Sequence, residues 1–104
     1  MNSRATSSLV AVVAAAMLLA AVPVSAQDPR VRLLVSNCAN CHGTDGRSQG
    51  GMPPLNGQAK AKLVEAMQDF RSGKRVATIM HQISKGYTDA EIDVLAGFFA
   101  AQKN

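Results

Sequence analysis

The sequence predicts an all-α domain, and three observations support this fold class. Apolar residues recur at spacings of three and four in four stretches, which places them on one face of a helix. Segments rich in Gly and Pro separate these stretches. No segment shows the sustained apolar–polar alternation typical of a half-buried strand. We therefore expect about four helices joined by short connections.

The first predicted helix begins at Asp28-Pro29, because an acidic N-cap followed by proline is a favoured helix start. Its apolar face comprises Val31, Leu34, Cys38 and Cys41. Residues 42–57 contain several glycines and two prolines, so this segment is predicted to be a loop.

Two further helices are predicted in the middle of the chain. The second spans residues 59–72, and Gly73 is expected to end it in the left-handed conformation. Its apolar stripe contains Leu63, Met67 and Phe70. A short third helix is predicted over residues 76–85 before Gly86, with apolar positions at Val76, Ile79, Met80 and Ile83.

The fourth helix has the clearest start signal in the chain. Residues 88–91, Thr-Asp-Ala-Glu, form a capping box, and their two acidic side chains favour the positive end of the helix dipole. Its predicted buried face comprises Ile92, Leu95, Ala96 and Phe99.

Residues 1–26 have the layout of a secretory signal peptide. Arg4 supplies positive charge, residues 9–22 are unbroken apolar sequence, and residues 24–26 (Val-Ser-Ala) form a small-residue cleavage site. A membrane-spanning helix needs roughly 20 apolar residues, so this run is short for a permanent anchor. We expect cleavage after this site and export of one domain, residues 27–104, to the periplasm.

The predicted mature domain is small and lacks large side chains to fill a core. Its 78 residues contain no Trp and four aromatic residues, so we expect a bound group to complete the interior. Without Arg4, ten basic and seven acidic residues leave a net charge of +3. The basic residues are dispersed among acids, which does not favour nucleic-acid binding. A few of these basic residues could steer an acidic redox partner.

Residues 38–42 read Cys-Ala-Asn-Cys-His, a C-x-x-C-H sequence that signals attachment of c-type haem. Two thiols add to the two vinyl groups of haem, and on a helical turn Cys38 and Cys41 lie on the same side. His42 follows at once and can bind the iron as its proximal ligand. We predict one covalently bound haem c per chain.

Other roles for the cysteine pair agree less well with the sequence. A thioredoxin-like pair requires a βαβ setting, and a zinc site requires four ligands although only His81 remains as a further Cys or His. A structural disulfide suits an exported protein but gives His42 no role.

The second axial ligand is expected among Met52, Met67, Met80 and His81. Met67 lies on a helical core stripe, and Met52 is only ten residues beyond His42. Met80 lies 38 residues beyond His42, after a helix that can cross the haem. We favour Met80. A bis-His site with His81, or an open sixth position, is the alternative.

Four segments carry a family resemblance: residues 38–46 (CANCHGTDG), 53–57 (PPLNG), 70–75 (FRSGKR) and 80–92 (MHQISKGYTDAEI). Through them the whole mature chain resembles the class I c-type cytochromes. It is most similar to the monohaem cytochrome subunit of flavocytochrome c sulfide dehydrogenase. The C-x-x-C-H-G part is common to all relatives, whereas the segment that begins at Met80 is more specific.

The resemblance implies a small class I cytochrome c fold, with Met80 as the sixth ligand. It implies that the Pro53 carbonyl accepts a hydrogen bond from the His42 ring, which orients the imidazole. It also implies that the first and fourth helices cross, with Gly97 permitting their close approach. Candidate partners of the haem propionates are Arg47, Gln58 and Arg75.

These residues lead us to expect single-electron transfer and no enzymatic catalysis, because both axial positions are filled. The resemblance implies that an FAD-containing flavoprotein subunit donates the electrons and that another exported carrier accepts them. One alternative is a free soluble cytochrome c. The other is a haem enzyme or gas sensor with an open sixth site.

Overall fold

The computed structural model describes residues 28–104. In this part of the chain it contains four α-helices and one short 3₁₀ helix, and no strand. The elements in order are α1 (Pro29–His42), the 3₁₀ helix (Thr44–Gly46), α2 (Lys60–Ser72), α3 (Met80–Ser84) and α4 (Asp89–Ala100). The predicted all-α class with four helices is confirmed. The predicted signal peptide lies outside the described residues.

Local side-chain chemistry sets three of the helix ends. The Asp28 carboxylate accepts a hydrogen bond from the backbone N–H of Arg30 at 2.8 Å and caps α1. At the start of α4, the Thr88 hydroxyl accepts from the Glu91 N–H at 3.2 Å, and the Glu91 carboxylate accepts from the Thr88 N–H at 3.0 Å. Gly73 ends α2 with φ +81°. All three ends were predicted and are confirmed.

The core lies where α4 packs against α1 and α2, and α2 also packs against α3. The predicted inner face of α4 is confirmed, since each of its four residues is buried: Ile92, Leu95, Ala96 and Phe99. Phe98 is buried as well and packs edge-to-face on Phe99, with ring centroids 5.1 Å apart. The helical spacing did not predict Phe98, because it lies off the main stripe.

The third helix is shorter than predicted. Residues 76–85 were expected to be helical, but α3 begins only at Met80. Ile79 has a non-helical φ of −136°, no side chain caps the helix start, and Val76 is 95% exposed. Three β-branched residues stand in the part that is not helical, and their side chains disfavour helix formation where no packing compensates. Residues 73–79, called here the distal segment, are therefore a non-helical stretch that directly precedes Met80.

Gly97 does not have the role that the resemblance implied. A Cβ atom built at Gly97 would meet only Lys60 of α2, at 3.8 Å from its Cε. That separation is an ordinary van der Waals contact, so the packing of α1 against α4 does not require glycine at this position. Among the helices described, none is long and apolar enough to cross a membrane.

Candidate haem site

Cys38 and Cys41 lie one turn apart near the end of α1, and both are free thiols. Cys38 is half-buried and packs against the hydrophobic core, whereas Cys41 is exposed. Burial raises the pKa of the Cys38 thiol, and the nearby Tyr87 side chain offsets part of this effect. In the described structure no disulfide joins the pair, so both sulfurs are available for covalent attachment.

His42 is the last residue of α1 and is 7% exposed. Its Nδ1 lies 2.6 Å from the carbonyl oxygen of Pro53, the contact that the resemblance implies. A carbonyl only accepts hydrogen bonds, so Nδ1 carries the proton and donates. The other ring nitrogen, Nε2, then keeps its lone pair and is the atom that can bind a metal.

Residues 43–57, called here the proximal loop, return the chain so that Pro53 reaches His42. Gly46 closes the loop: its carbonyl accepts hydrogen bonds from the N–H groups of Leu55 at 2.9 Å and Asn56 at 3.4 Å. Gly46 itself is buried with φ +76°, and a Cβ there would lie 2.9 Å from the Phe99 ring. Only glycine fits this conformation at this close approach.

The proximal loop is also fixed to the end of α4 and the residues after it. The Gly57 N–H donates to the Phe99 carbonyl at 2.9 Å. The Lys103 carbonyl accepts from the Arg47 guanidinium at 3.0 Å and from the Asn56 side chain at 3.2 Å. The position of Pro53 is therefore set by bonds to a part of the chain about 50 residues away, as the sequence separation of these contacts shows.

Met80 is the first residue of α3, is half-buried and packs against the hydrophobic core. The neighbouring His81 is also half-buried, and its Nδ1 is enclosed without a hydrogen-bond partner. Met67 is 8% exposed within the core cluster, which confirms its predicted packing role. Met52 is 39% exposed in the proximal loop.

Tyr87 is a residue whose role was not predicted from the sequence. It is buried, and its hydroxyl donates to the Leu34 carbonyl of α1 at 3.0 Å. The Arg71 guanidinium at the end of α2 donates to the Tyr87 carbonyl at 3.2 Å and pairs with the Asp89 carboxylate. The one available signal was the position of this tyrosine, between Gly86 and the capping box, where a polar residue is the usual choice.

The donor set fits a covalently attached haem. It combines two unpaired thiols one turn apart, an imidazole fixed through Nδ1, and a thioether at the edge of the core. A groove of 730 Å³ adjoins the attachment helix and is lined by Cys41, Leu34, Ile83 and Tyr87 among others. His42 and Met80 are not part of its lining.

The three candidate propionate partners each have a partner within the protein. Arg47 pairs with Asp45 at 3.4 Å besides its bond to Lys103. The Gln58 amide donates to a backbone carbonyl, that of Pro54. The guanidinium carbon of Arg75 lies 4.9 Å from the centre of the Phe70 ring.

Comparison with known proteins shows the family of the chain. Residues 31–102 match the family model described as cytochrome c. The cytochrome subunit of sulfide dehydrogenase from Chlorobaculum tepidum is 39% identical over 72 residues, which cover 69% of this chain and 66% of the relative. The thiosulfate dehydrogenase electron acceptor of Stutzerimonas stutzeri is 38% identical over 66 residues, covering 62% of this chain and 31% of the relative.

A solved structure of cytochrome c4 from Acidithiobacillus ferrooxidans has a TM-score of 0.59 and 36% identity, covering 62% of this chain and 38% of that chain. The chain thus spans less than two thirds of the length of these relatives. The family model nevertheless begins within α1, extends past the end of α4 and includes the C-x-x-C-H segment. We conclude that the chain belongs to the cytochrome c family of electron-transfer proteins, which carry covalently bound haem c.

Proposed function

We propose that this chain is an exported monohaem cytochrome that accepts single electrons as a subunit of a flavocytochrome c sulfide dehydrogenase. The observation that carries the proposal is its 39% identity over 72 residues to a cytochrome subunit of sulfide dehydrogenase. Residues 1–26 would be removed as a signal peptide, and residues 27–104 would act in the periplasm. An FAD-containing flavoprotein subunit would be the electron donor, and another exported carrier the acceptor.

The site residues have separate roles in this proposal. Cys38 and Cys41 would hold the haem through thioether bonds, and His42 and Met80 would bind its iron. When bound, the haem supplies one-electron oxidation and reduction. The Pro53 carbonyl, 2.6 Å from Nδ1 of His42, fixes the ring and makes the Nε2 lone pair a stronger ligand for a metal. With the Met80 thioether as a ligand, the reduced state would be favoured and the reduction potential would be higher than with two histidine ligands.

The distribution of exposed side chains supports a lasting partner. Val76 and Ile79, three residues apart in the distal segment, are 95% and 49% exposed. Exposed apolar side chains grouped beside a functional site are typical of a docking face. Because the distal segment leads directly into Met80, a partner seated there would lie beside the proposed iron ligand.

A free soluble electron carrier is the second candidate, and one observation favours it. The exposed basic residues Lys74 and Arg75 also lie in the distal segment. Charge around an electron-transfer site steers transient encounters, in which the partners separate after each transfer. The relative in Stutzerimonas stutzeri is described as an electron acceptor of thiosulfate dehydrogenase.

Gentle isolation of the native holoprotein from its host's exported fraction tests the proposed complex. We expect a flavin-containing subunit in fixed stoichiometry and sulfide-dependent reduction of the haem. The control is the purified chain alone with sulfide, which measures direct chemical reduction. A monomeric, flavin-free cytochrome that sulfide reduces no faster than this control would favour the free carrier.

The axial role of Met80 is tested separately with Met80→Ala and the control Met67→Leu in the holoprotein. We expect Met80→Ala to lower the reduction potential and to let imidazole bind the ferric iron. Met67→Leu conserves core volume and should change neither property. If Met80→Ala changed neither property, the sixth position would be open or would be filled by another residue such as His81.

A further inference from the structure

Tyr87 connects three helices through three hydrogen bonds. Its N–H donates to the Ser84 carbonyl of α3 at 3.3 Å, its carbonyl accepts from Arg71 of α2 at 3.2 Å, and its hydroxyl donates to Leu34 of α1 at 3.0 Å. The residue is only 9% exposed. Each of its polar groups is thus paired with a different helix, which satisfies the requirement for burying them.

Arg71 contributes a charged bond to this junction. Its side chain is 30% exposed, and its guanidinium reaches both the Tyr87 carbonyl and the carboxylate of Asp89 in the first turn of α4. Hydrogen bonds from a charged group are stronger than those between neutral groups. The planar guanidinium can hold two acceptors at once, which a lysine ammonium does with less directional control.

Helix α3 packs against α2, and the Tyr87 junction adds a fixed point at its C-terminal end. It has only five residues, far fewer than an isolated helix needs. No side chain caps its first turn, and the distal segment before it exposes Val76 and Ile79. On the other side, Ser84 is fully buried and receives the Tyr87 N–H. Helix α3 is therefore anchored from its C-terminal end.

We propose that Arg71 and Tyr87 are positioning residues that hold α3 in place and thereby set how rarely Met80 leaves the iron. This inference rests on the proposed axial role of Met80, the first residue of α3. A ligand such as imidazole binds only when Met80 is displaced, so its apparent affinity reports the population of the displaced state. Loosening the junction raises that population without removing the thioether.

The test uses the ferric holoprotein with Arg71→Met, Arg71→Lys and Tyr87→Phe. The matched control is Lys60→Met, which removes another ion pair between α2 and α4, that of Lys60 and Asp93 at 2.9 Å. Imidazole titration gives the apparent affinity. The long-wavelength charge-transfer absorption of methionine-ligated ferric haem shows that Met80 is bound before imidazole is added.

We expect Arg71→Met to bind imidazole about tenfold more tightly than the unaltered protein, equal to about 1.4 kcal/mol. Tyr87→Phe should give a smaller gain of about threefold, since one neutral hydrogen bond is lost. Arg71→Lys should raise the imidazole affinity less than Arg71→Met does, because it keeps the charge. Lys60→Met should stay within about twofold, as an exposed pair contributes little.

Unchanged imidazole affinity in both Arg71→Met and Tyr87→Phe would overturn the inference. An equal gain in Lys60→Met would also overturn it, since the effect would then follow overall stability. Absence of the methionine absorption in the unaltered protein is a different result, because it would refute the axial role of Met80 itself. If Arg71→Met did not fold, Tyr87→Phe and Arg71→Lys would still decide the question.

Discussion

The proximal loop follows the proposed iron ligand His42, the distal segment precedes the proposed ligand Met80, and the two segments are built in opposite ways. The proximal loop closes on the Gly46 carbonyl and is bonded to Phe99 and Lys103. The distal segment exposes its apolar side chains, and the helix that follows it is held by Arg71 through Tyr87. The difference teaches that the His42 ring is fixed by a bond to its own loop, whereas Met80 is positioned by the packing of α3 and by the junction that follows it.

Gly46→Ala is expected to have the largest effect, because it damages the tightly closed region. The substituted Cβ would lie 2.9 Å from the Phe99 ring and from the Leu55 Cβ, at φ +76°. We expect a loss of about 3 kcal/mol in the free energy of unfolding, from strain and overpacking together. Denaturant unfolding of the holoprotein measures it.

The control for this substitution is Gly50→Ala at the tip of the same loop. A Cβ at Gly50 would meet nothing within 4 Å, so we expect a change of less than about 0.5 kcal/mol. If both substitutions lowered the free energy of unfolding equally, closure of the proximal loop would not depend on glycine at position 46.

Gly73→Ala makes the corresponding change where the distal segment begins. Gly73 has φ +81°, but a Cβ there would have open space around it. Only the backbone conformation is strained, so we expect a loss of about 1.5 kcal/mol in the same measurement. Gly73→Asn should lose less, because asparagine tolerates the left-handed region. A loss as large as that of Gly46→Ala would contradict the contrast between the two segments.

Asn56→Ala removes one of the bonds that fix the proximal loop. Its amide donates to the Lys103 carbonyl and to the Asn104 side chain, both at 3.2 Å. We expect a loss of about 1 kcal/mol in the free energy of unfolding. Gln49→Ala, at an exposed position in the same loop, is the control and should leave stability unchanged. No difference between the two variants would mean that these bonds are exchanged for water without cost.

Tyr87 gives the junction beyond Met80 a pH dependence. Burial is the main cause that raises the pKa of its phenol above the usual value of 10.0, and the negative charge of Glu91 adds to it. Above pH 10 the unfolded chain loses the phenolic proton while the folded chain keeps it, so stability falls as pH rises towards the folded pKa. Tyr87→Phe should lack this decrease when unfolding is measured from pH 9 to 11.

The smallest effect on stability is expected at Val76, in the distal segment. Its side chain is 95% exposed, so Val76→Ser should change the free energy of unfolding by less than about 0.5 kcal/mol. In the proposed complex the same change should weaken association with the flavoprotein subunit, measured by titration of the two purified subunits. A lower free energy of unfolding with unchanged association would mean that Val76 contributes to folding and not to docking of the partner.

The elements that local signals specify were predicted from the sequence. Asp28 and the capping box from Thr88 to Glu91 place two helix starts, because each bond spans only two or three residues. The apolar stripe of α4 follows from its spacing. The C-x-x-C-H segment identifies the attachment helix for a chemical reason that does not depend on the tertiary fold.

The parts that depend on distant contacts could not be predicted in this way. The spacing of Val76, Ile79 and Met80 suits a helix, but the absence of a cap and of packing partners left the first two of them outside it. The bond from Tyr87 to Leu34 spans 53 residues, and no local pattern encodes it. Gly97 was assigned to a helix crossing that its surroundings do not support.

The bond between Arg47 and the Lys103 carbonyl has a consequence for the order of folding. It joins residues 56 positions apart and forms only when the chain up to Lys103 is available. Closing so long a loop costs entropy that later contacts must offset, so this step is expected late in folding. Until then the proximal loop lacks its bonds to Lys103 and keeps only those within the loop, such as the bonds of Leu55 and Asn56 to the Gly46 carbonyl.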